Sequence, residues 1–103
     1  MIHVDATLEI NEESQKILLP MMREAMAVTA LEDGCLVFRF TADLSSRSLF
    51  YMSELWASES ALQAHMQAQS FLGVIGTLMA HAKILNMVTR QGELAPYDLA
   101  LPA

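Results

Sequence analysis

Residues 35–56 read CLVFRFTADLSSRSLFYMSELW. Two runs rich in aromatic and branched residues, Cys35–Thr41 and Ser48–Trp56, are parted by a polar link from Ala42 to Arg47. Such runs favour strands, and their spacing predicts a hairpin. The flanks decide what that hairpin belongs to. Upstream, Ile2, Val4, Ala6, Leu8 and Ile10 alternate with His3, Asp5, Thr7 and Glu9, the period-two mark of a half-buried strand. Asn11 then offers a helix cap, with Glu12 and Glu13 at the positive end of the helix dipole. Ile17, Leu18, Met21, Met22, Ala25, Val28 and Thr29 recur at helical spacing. Pro20 inside this pattern predicts a kink or a split into two pieces, and Glu32-Asp33-Gly34 closes the segment as a turn.

Downstream, Ser58 caps a helix from about Glu59 to Ala68, with Leu62 and Met66 on its buried side. Ser70 is expected to cap a further helical piece to about Ala80. Lys83–Arg90 reads as a fourth strand, with Ile84 and Val88 facing opposite Leu85 and Met87. The order is therefore β-α-β-β-α-β, an α+β, ferredoxin-like antiparallel sheet with its helices on one face. Residues 1–91 form the domain, and residues 92–103 form a C-terminal tail. The sheet's other face stays bare, and a homodimer is the economical way to cover it. Leu94, Tyr97, Leu99 and Leu101 are too apolar for a free tail, which predicts that the tail packs on the partner subunit.

Composition narrows the function. The 103 residues are 53% hydrophobic and 17% charged, with a net charge of −6. That is the opposite of the disordered signature. The negative charge disfavours nucleic acid and anionic membrane surfaces as partners. A spanning helix needs about 20 apolar residues, and the greasiest stretch, Phe71–Ala82, is shorter and contains His81. Asp5 and Glu9 stand where a secretory signal would be apolar. One cysteine, Cys35, gives no intrachain disulfide or multi-cysteine zinc site. His3 and His81 show no metal-ligand spacing to His65. A soluble cytoplasmic domain is expected, without metal or cofactor, whose apolar surplus goes to a dimer interface and a pocket for a small apolar or aromatic ligand.

The runs Glu32-Asp33-Gly34-Cys35-Leu36, Glu54-Leu55-Trp56 and Ala61-Leu62-Gln63-Ala64-His65, followed by Phe71, resemble the antibiotic biosynthesis monooxygenase (ABM) domain family. The resemblance runs from about Ile2 to Arg90 and implies a dimeric α+β barrel. It also implies one of the family's activities: cofactor-independent oxygenation of anthrones or quinols, haem degradation, or isomerisation of a quorum-sensing signal. Haem-degrading members carry an Asn on strand one, a Trp on the second main helix and a His ligand further on. Here those positions are Ala6, His65 and Ile75, which disfavours haem degradation because the iron would lack its ligand. Ser70 replaces a second His that many relatives place before the residue matching Phe71.

A cofactor-free oxygenase needs an apolar pocket, a base near neutral pKa and donors for a developing oxyanion. His65 is the candidate base; it also reads as a partly buried histidine bonded to a backbone carbonyl or to Glu54. Trp56 is the candidate catalytic donor through its indole N–H, or a large core residue closing the strand. Tyr51, Phe38 and Phe71 are candidate substrate contacts among the aromatics, most of which also read as core. Arg39 either pairs with Glu54 across the strands or anchors an anionic substrate. Asn86 is a pocket donor or bonds a neighbouring loop. Cys35 reads as a small buried hydrophobe. Met21, Met22, Met26, Met52, Met66, Met79 and Met87 are expected to converge on one interior, as cavity lining or plain core. The expected function is quinol-monooxygenase-like oxidation of a small aromatic quinol or polyphenol. An isomerase-type step on a small carbonyl compound, or a non-catalytic ligand-binding dimer, is the alternative.

Overall fold

In the computed structural model, which describes residues 1–102, the alternation at the N-terminus becomes β1 (Ile2–Glu9). Its even-numbered residues are buried and its odd-numbered ones half-exposed or exposed. Asn11 caps α1 (Glu12–Thr29), its Oδ1 accepting the Ser14 N–H at 2.8 Å. The expected split at Pro20 does not occur, and α1 runs unbroken through it. Pro20 lies on the exposed side, where water can replace the backbone bond that it removes.

The hairpin forms as β2 (Cys35–Ala42) and β3 (Leu49–Trp56). Ser58 Oγ accepts the Ala61 N–H at 3.2 Å and starts α2 (Glu59–Gln67). Next comes α3 (Gln69–His81), joined to α2 through the single extended residue Ala68. With no connection longer than that, Ser70 falls inside the first turn of α3 and is not its cap, correcting the sequence-based expectation. The last strand is β4 (Lys83–Gln91).

The four strands form one antiparallel sheet in the order β2-β3-β1-β4, an α+β ferredoxin-like arrangement. Leu18 and Met22 of α1, Leu78 of α3 and the inward residues of β1 and β3 make the core. A bulge interrupts the β1–β4 pairing: Thr7 faces Asn86, but the next residue, Leu8, faces Ile84. The extra residue, Leu85, resets the alternation. Ile84 and Met87 consequently share the helix side of the sheet, contrary to the simple period-two expectation. The methionines do not all converge either, since Met79 is 58% exposed.

The sheet's other face carries Val37, Tyr51, Ser53 and Leu55 without a covering layer. Gly92 N–H bonds the Met1 carbonyl at 3.0 Å, after which the described residues of the tail form no helix or strand. Leu94, Tyr97, Leu99 and Leu101 are exposed, and Ala103, the tail's last residue, lies outside the described residues. No helix among the described residues is long and apolar enough to cross a membrane.

The turn before β2 depends on Gly34. Its φ is 78°, in the left-handed region, and its carbonyl accepts the Ala57 N–H at 2.8 Å. A Cβ there would stand 2.6 Å from the Cβ of Ala61 on α2. The left-handed cost of a side chain is roughly 1–2 kcal/mol, and overpacking adds about 1–3 kcal/mol. Gly34→Ala is therefore expected to lower stability by roughly 2–5 kcal/mol in urea unfolding. A loss below about 1 kcal/mol would show that the turn is not clamped against α2.

Candidate functional site

Between the sheet and the α2–α3 pair lies a cavity of about 240 Å³. Ala6 from β1, Phe38 and Phe40 from β2, Met52 from β3, and Ile84 and Met87 from β4 form its sheet side. Leu62, Met66, Phe71 and Ile75 form much of its helix side. In this apolar lining stand two ionisable side chains, His65 and Glu54. A larger hollow of about 380 Å³ lies on the bare sheet face beside the start of the tail. Its polar groups, such as His3 and Arg90, are partly exposed, so buried acid–base chemistry belongs to the smaller cavity.

His65 is 4% exposed. Trp56 lies beside the imidazole with ring centres 4.7 Å apart, Phe71 at 5.2 Å and Phe38 at 5.5 Å. The imidazole Nδ1 lies 2.9 and 3.1 Å from the two carboxylate oxygens of Glu32. An ionised carboxylate only accepts, so this geometry assigns the hydrogen of the neutral ring to Nδ1 and the lone pair to Nε2. Among the described residues no protein group bonds Nε2, and no fully buried polar side-chain atom lacks a partner. Nε2 is therefore not fully enclosed, in a ring that lines the cavity.

Glu54 is 7% exposed and projects from β3 on the same side of the sheet. Its Oε1 accepts the Trp56 Nε1–H at 2.9 Å. By the same reasoning its second oxygen is not fully enclosed. Burial pushes the Glu54 carboxyl above its ordinary range. The indole bond and the charge of His65 pull it back down, while the Glu32 carboxylate pushes it up. The cavity wall thus carries an imidazole held by a carboxylate and a buried carboxyl whose pKa is raised by burial.

The structure brings together His65, Trp56, Phe38 and Phe71. Trp56 is fully buried and spends its N–H on Glu54. Tyr51, Arg39 and Asn86 instead lie on the other sheet face. The Tyr51 hydroxyl donates to Asp43 Oδ1 at 2.6 Å, which raises the phenol's pKa and lowers that of Asp43. Arg39 is exposed and opposite Ser53, so it does not meet Glu54, whose side chain is on the helix side. Asn86 is exposed and pairs in register with Thr7. Burial, then the charges of Glu32 and Glu54, raise the pKa of the Cys35 thiol, in keeping with an unreactive apolar filler.

Sequence reasoning missed Glu32 as the partner of His65. It was visible only as part of a turn, where a carboxylate ordinarily meets water, and it sits 33 residues before its partner.

A sequence profile of the family described as antibiotic biosynthesis monooxygenase matches residues 1–75. No curated protein matches the chain. Among solved structures, a Deinococcus radiodurans protein described as an antibiotic biosynthesis monooxygenase superposes with a TM-score of 0.84 at 23% identity, over 97% of this chain and 100% of that one. A second structure with the same description has a TM-score of 0.77 at 26% identity, covering 93% of this chain and 100% of its own. A Pseudomonas aeruginosa protein is 27% identical, with a TM-score of 0.72 and coverage of 96% and 94%.

The environment of Glu54 has a consequence for stability. Its folded-state pKa lies above the ordinary 4.5, so the folded chain holds more protons than the unfolded chain just above that pH. The stability that Glu54 contributes is therefore full below this window and is lost as pH rises through it. Glu54→Gln keeps an acceptor for Trp56 and removes the titration. Urea unfolding in steps from pH 4.5 to neutrality should show a shallower decline for the variant than for wild type. Identical pH profiles would mean that Glu54 ionises freely in the folded state.

Proposed function

This chain belongs to the antibiotic biosynthesis monooxygenase family, and we propose that it is a cofactor-independent monooxygenase of a small aromatic quinol or polyphenol-like substrate. The observation that carries this reading is the Glu32–His65 pair, which holds the imidazole Nδ1 against a carboxylate at the wall of an apolar cavity flanked by aromatic rings. Molecular oxygen is a triplet and reacts slowly with closed-shell molecules, but a deprotonated quinol gives up an electron readily. His65 takes the hydroxyl proton. Glu32 holds the imidazole in orientation and stabilises its charged form, as a buried carboxylate does for a catalytic histidine elsewhere. One oxygen atom enters the ring and the other leaves as water with two hydrogens of the substrate. The electrons balance without an external reductant.

Size supports a small substrate. An apolar cavity of roughly 150 Å³ accepts benzene, so about 240 Å³ suits one or two fused rings. Phe38 and Phe71 line the cavity and would stack on a flat ring, and Trp56 would act through its hydrogen bond to Glu54. The uncovered sheet face supports a homodimer, which a stable monomer at micromolar protein in light scattering would contradict.

Oxygen uptake with a two-ring quinol such as naphthohydroquinone, corrected for uncatalysed oxidation, is expected from wild type. His65→Ala should lower the rate by about 10²–10⁴-fold, the usual worth of a general base. Tight binding of quinols with no oxygen consumed would leave a binding protein in place of an enzyme.

A further inference from the structure

We propose that this cavity binds an aromatic ring bearing an apolar chain. The ring sits at His65, and the chain crosses the sheet and leaves at a rim made by Met66, Met87 and Thr89, along a path that Ala6 keeps open. The inference deepens the proposed function and rests on it only in seating the ring hydroxyl beside His65.

The register of the sheet lays out the cavity floor. Phe40, Met52, Ala6 and Met87 are successive partners across β2, β3, β1 and β4, and all four line the cavity. Phe38, Glu54, Val4 and Thr89 make a second such row. Neighbouring strands lie about 4.8 Å apart, so each row runs roughly 14 Å from β2 to β4. Exposure changes abruptly at the last strand. Phe40, Met52, Ala6, Glu54 and Val4 are buried, whereas Met87 is 51% exposed and Thr89 is exposed. On the helix side Met66 is 42% exposed. Past Ala6 the floor is shut off by Leu8 and by Leu78 of α3, both buried. His65 stands at the other end, its ring 5.5 Å from that of Phe38 on β2 and 4.7 Å from that of Trp56 on β3. The cavity is therefore a trough with its candidate base at the β2–β3 end and its opening at the β4 edge.

Two local features build this trough. The bulge at Leu85 turns Met87 and Thr89 toward the helices and sends Asn86 to the other face, so no amide stands on the path. Methionine at the rim is unbranched and adapts to chains of differing shape. On β1, Ala6 is the one small residue among the inward Ile2, Val4, Ala6 and Leu8, and it lies midway between Met52 and Met87. A compact ring at His65 fills the β2–β3 end and leaves the apolar floor from Ala6 to Met87 in contact with water. A chain on the ring, directed away from its hydroxyl, covers that floor. Each methylene buried there is worth roughly fourfold in affinity.

The test titrates the protein with para-alkylphenols, from p-cresol to para-octylphenol, and follows its methionine methyl groups by NMR. Met52 should shift with every phenol, and Met66 and Met87 only with the longer chains. Met79, outside the cavity, is the control. Affinity should rise roughly fourfold per methylene and level off once the chain passes the rim. Ala6→Leu should abolish the rise. Met87→Ala, at an exposed position that spares the core, should make the levelling begin at a shorter chain. A flat series in wild type overturns the proposal, as does a rise that persists in folded Ala6→Leu. Met66 and Met87 signals that follow protein dilution without any phenol would assign the rim to a second copy and overturn it as well. A rising series without oxygen uptake on alkylated hydroquinones supports the chain path while the monooxygenase reading fails. Uptake on quinols with a flat series overturns the chain path and leaves the oxygenase reading standing.

Discussion

The close approach of Gly34 to Ala61 governs the geometry of the site. Only a residue without a side chain lets the turn before β2 lie against α2, and only a left-handed backbone returns its carbonyl to the Ala57 N–H. The same turn carries Glu32, which this clamp delivers to the Nδ1 of His65. A buried imidazole with its donor satisfied by a partly exposed carboxylate is stable where an unpaired one would be costly. One steric constraint thus sets where the Glu32 carboxylate meets the candidate base.

Around that point the sheet and helices divide their labour. The outer strand β2 supplies Phe38 and Phe40, β3 supplies Met52 and Glu54, and the α2–α3 pair closes the cavity with Leu62, His65 and Phe71. The polar groups are few, and each is supported from behind by one strong bond: Glu32 to His65 and Trp56 to Glu54. In an apolar enclosure such bonds are worth more than in water, and the cost of displacing either partner is correspondingly high. The opposite sheet face has the reverse character, with partly exposed His3, Asp5 and Arg90 in loose ion pairs.

Much of the fold was legible because periodicity reports burial directly. The alternation through Ile2–Ile10, the Asn11 and Ser58 caps and the adjoining strands at residues 35–56 all mark what the structure contains. Where period two failed, at β4, the cause is a bulge that inserts Leu85, and nothing in KILNMVTR marks a bulge. The residue type of Ser70 suits a cap, but a cap also needs a preceding loop, and only Ala68 lies between α2 and α3. The missing N–H of Pro20 is visible in sequence, whereas its exposure, which decides how little that loss matters, is not. At the site, His65 and Trp56 were found because their chemistry is distinctive. Tyr51, Arg39 and Asn86 share that distinctiveness, and strand parity sends them to the other face. Glu32 escaped because its role is created by tertiary contact alone.

Everything assigned to the cavity depends on which imidazole nitrogen of His65 carries the hydrogen. Long-range proton–nitrogen NMR correlations of the neutral His65 ring read this directly. The Glu32 contact requires the hydrogen on Nδ1 and a bare Nε2, with the pattern lost or mixed in Glu32→Gln. A ring carrying its hydrogen on Nε2 would turn a donor toward the cavity and contradict the assignment of His65 as its base.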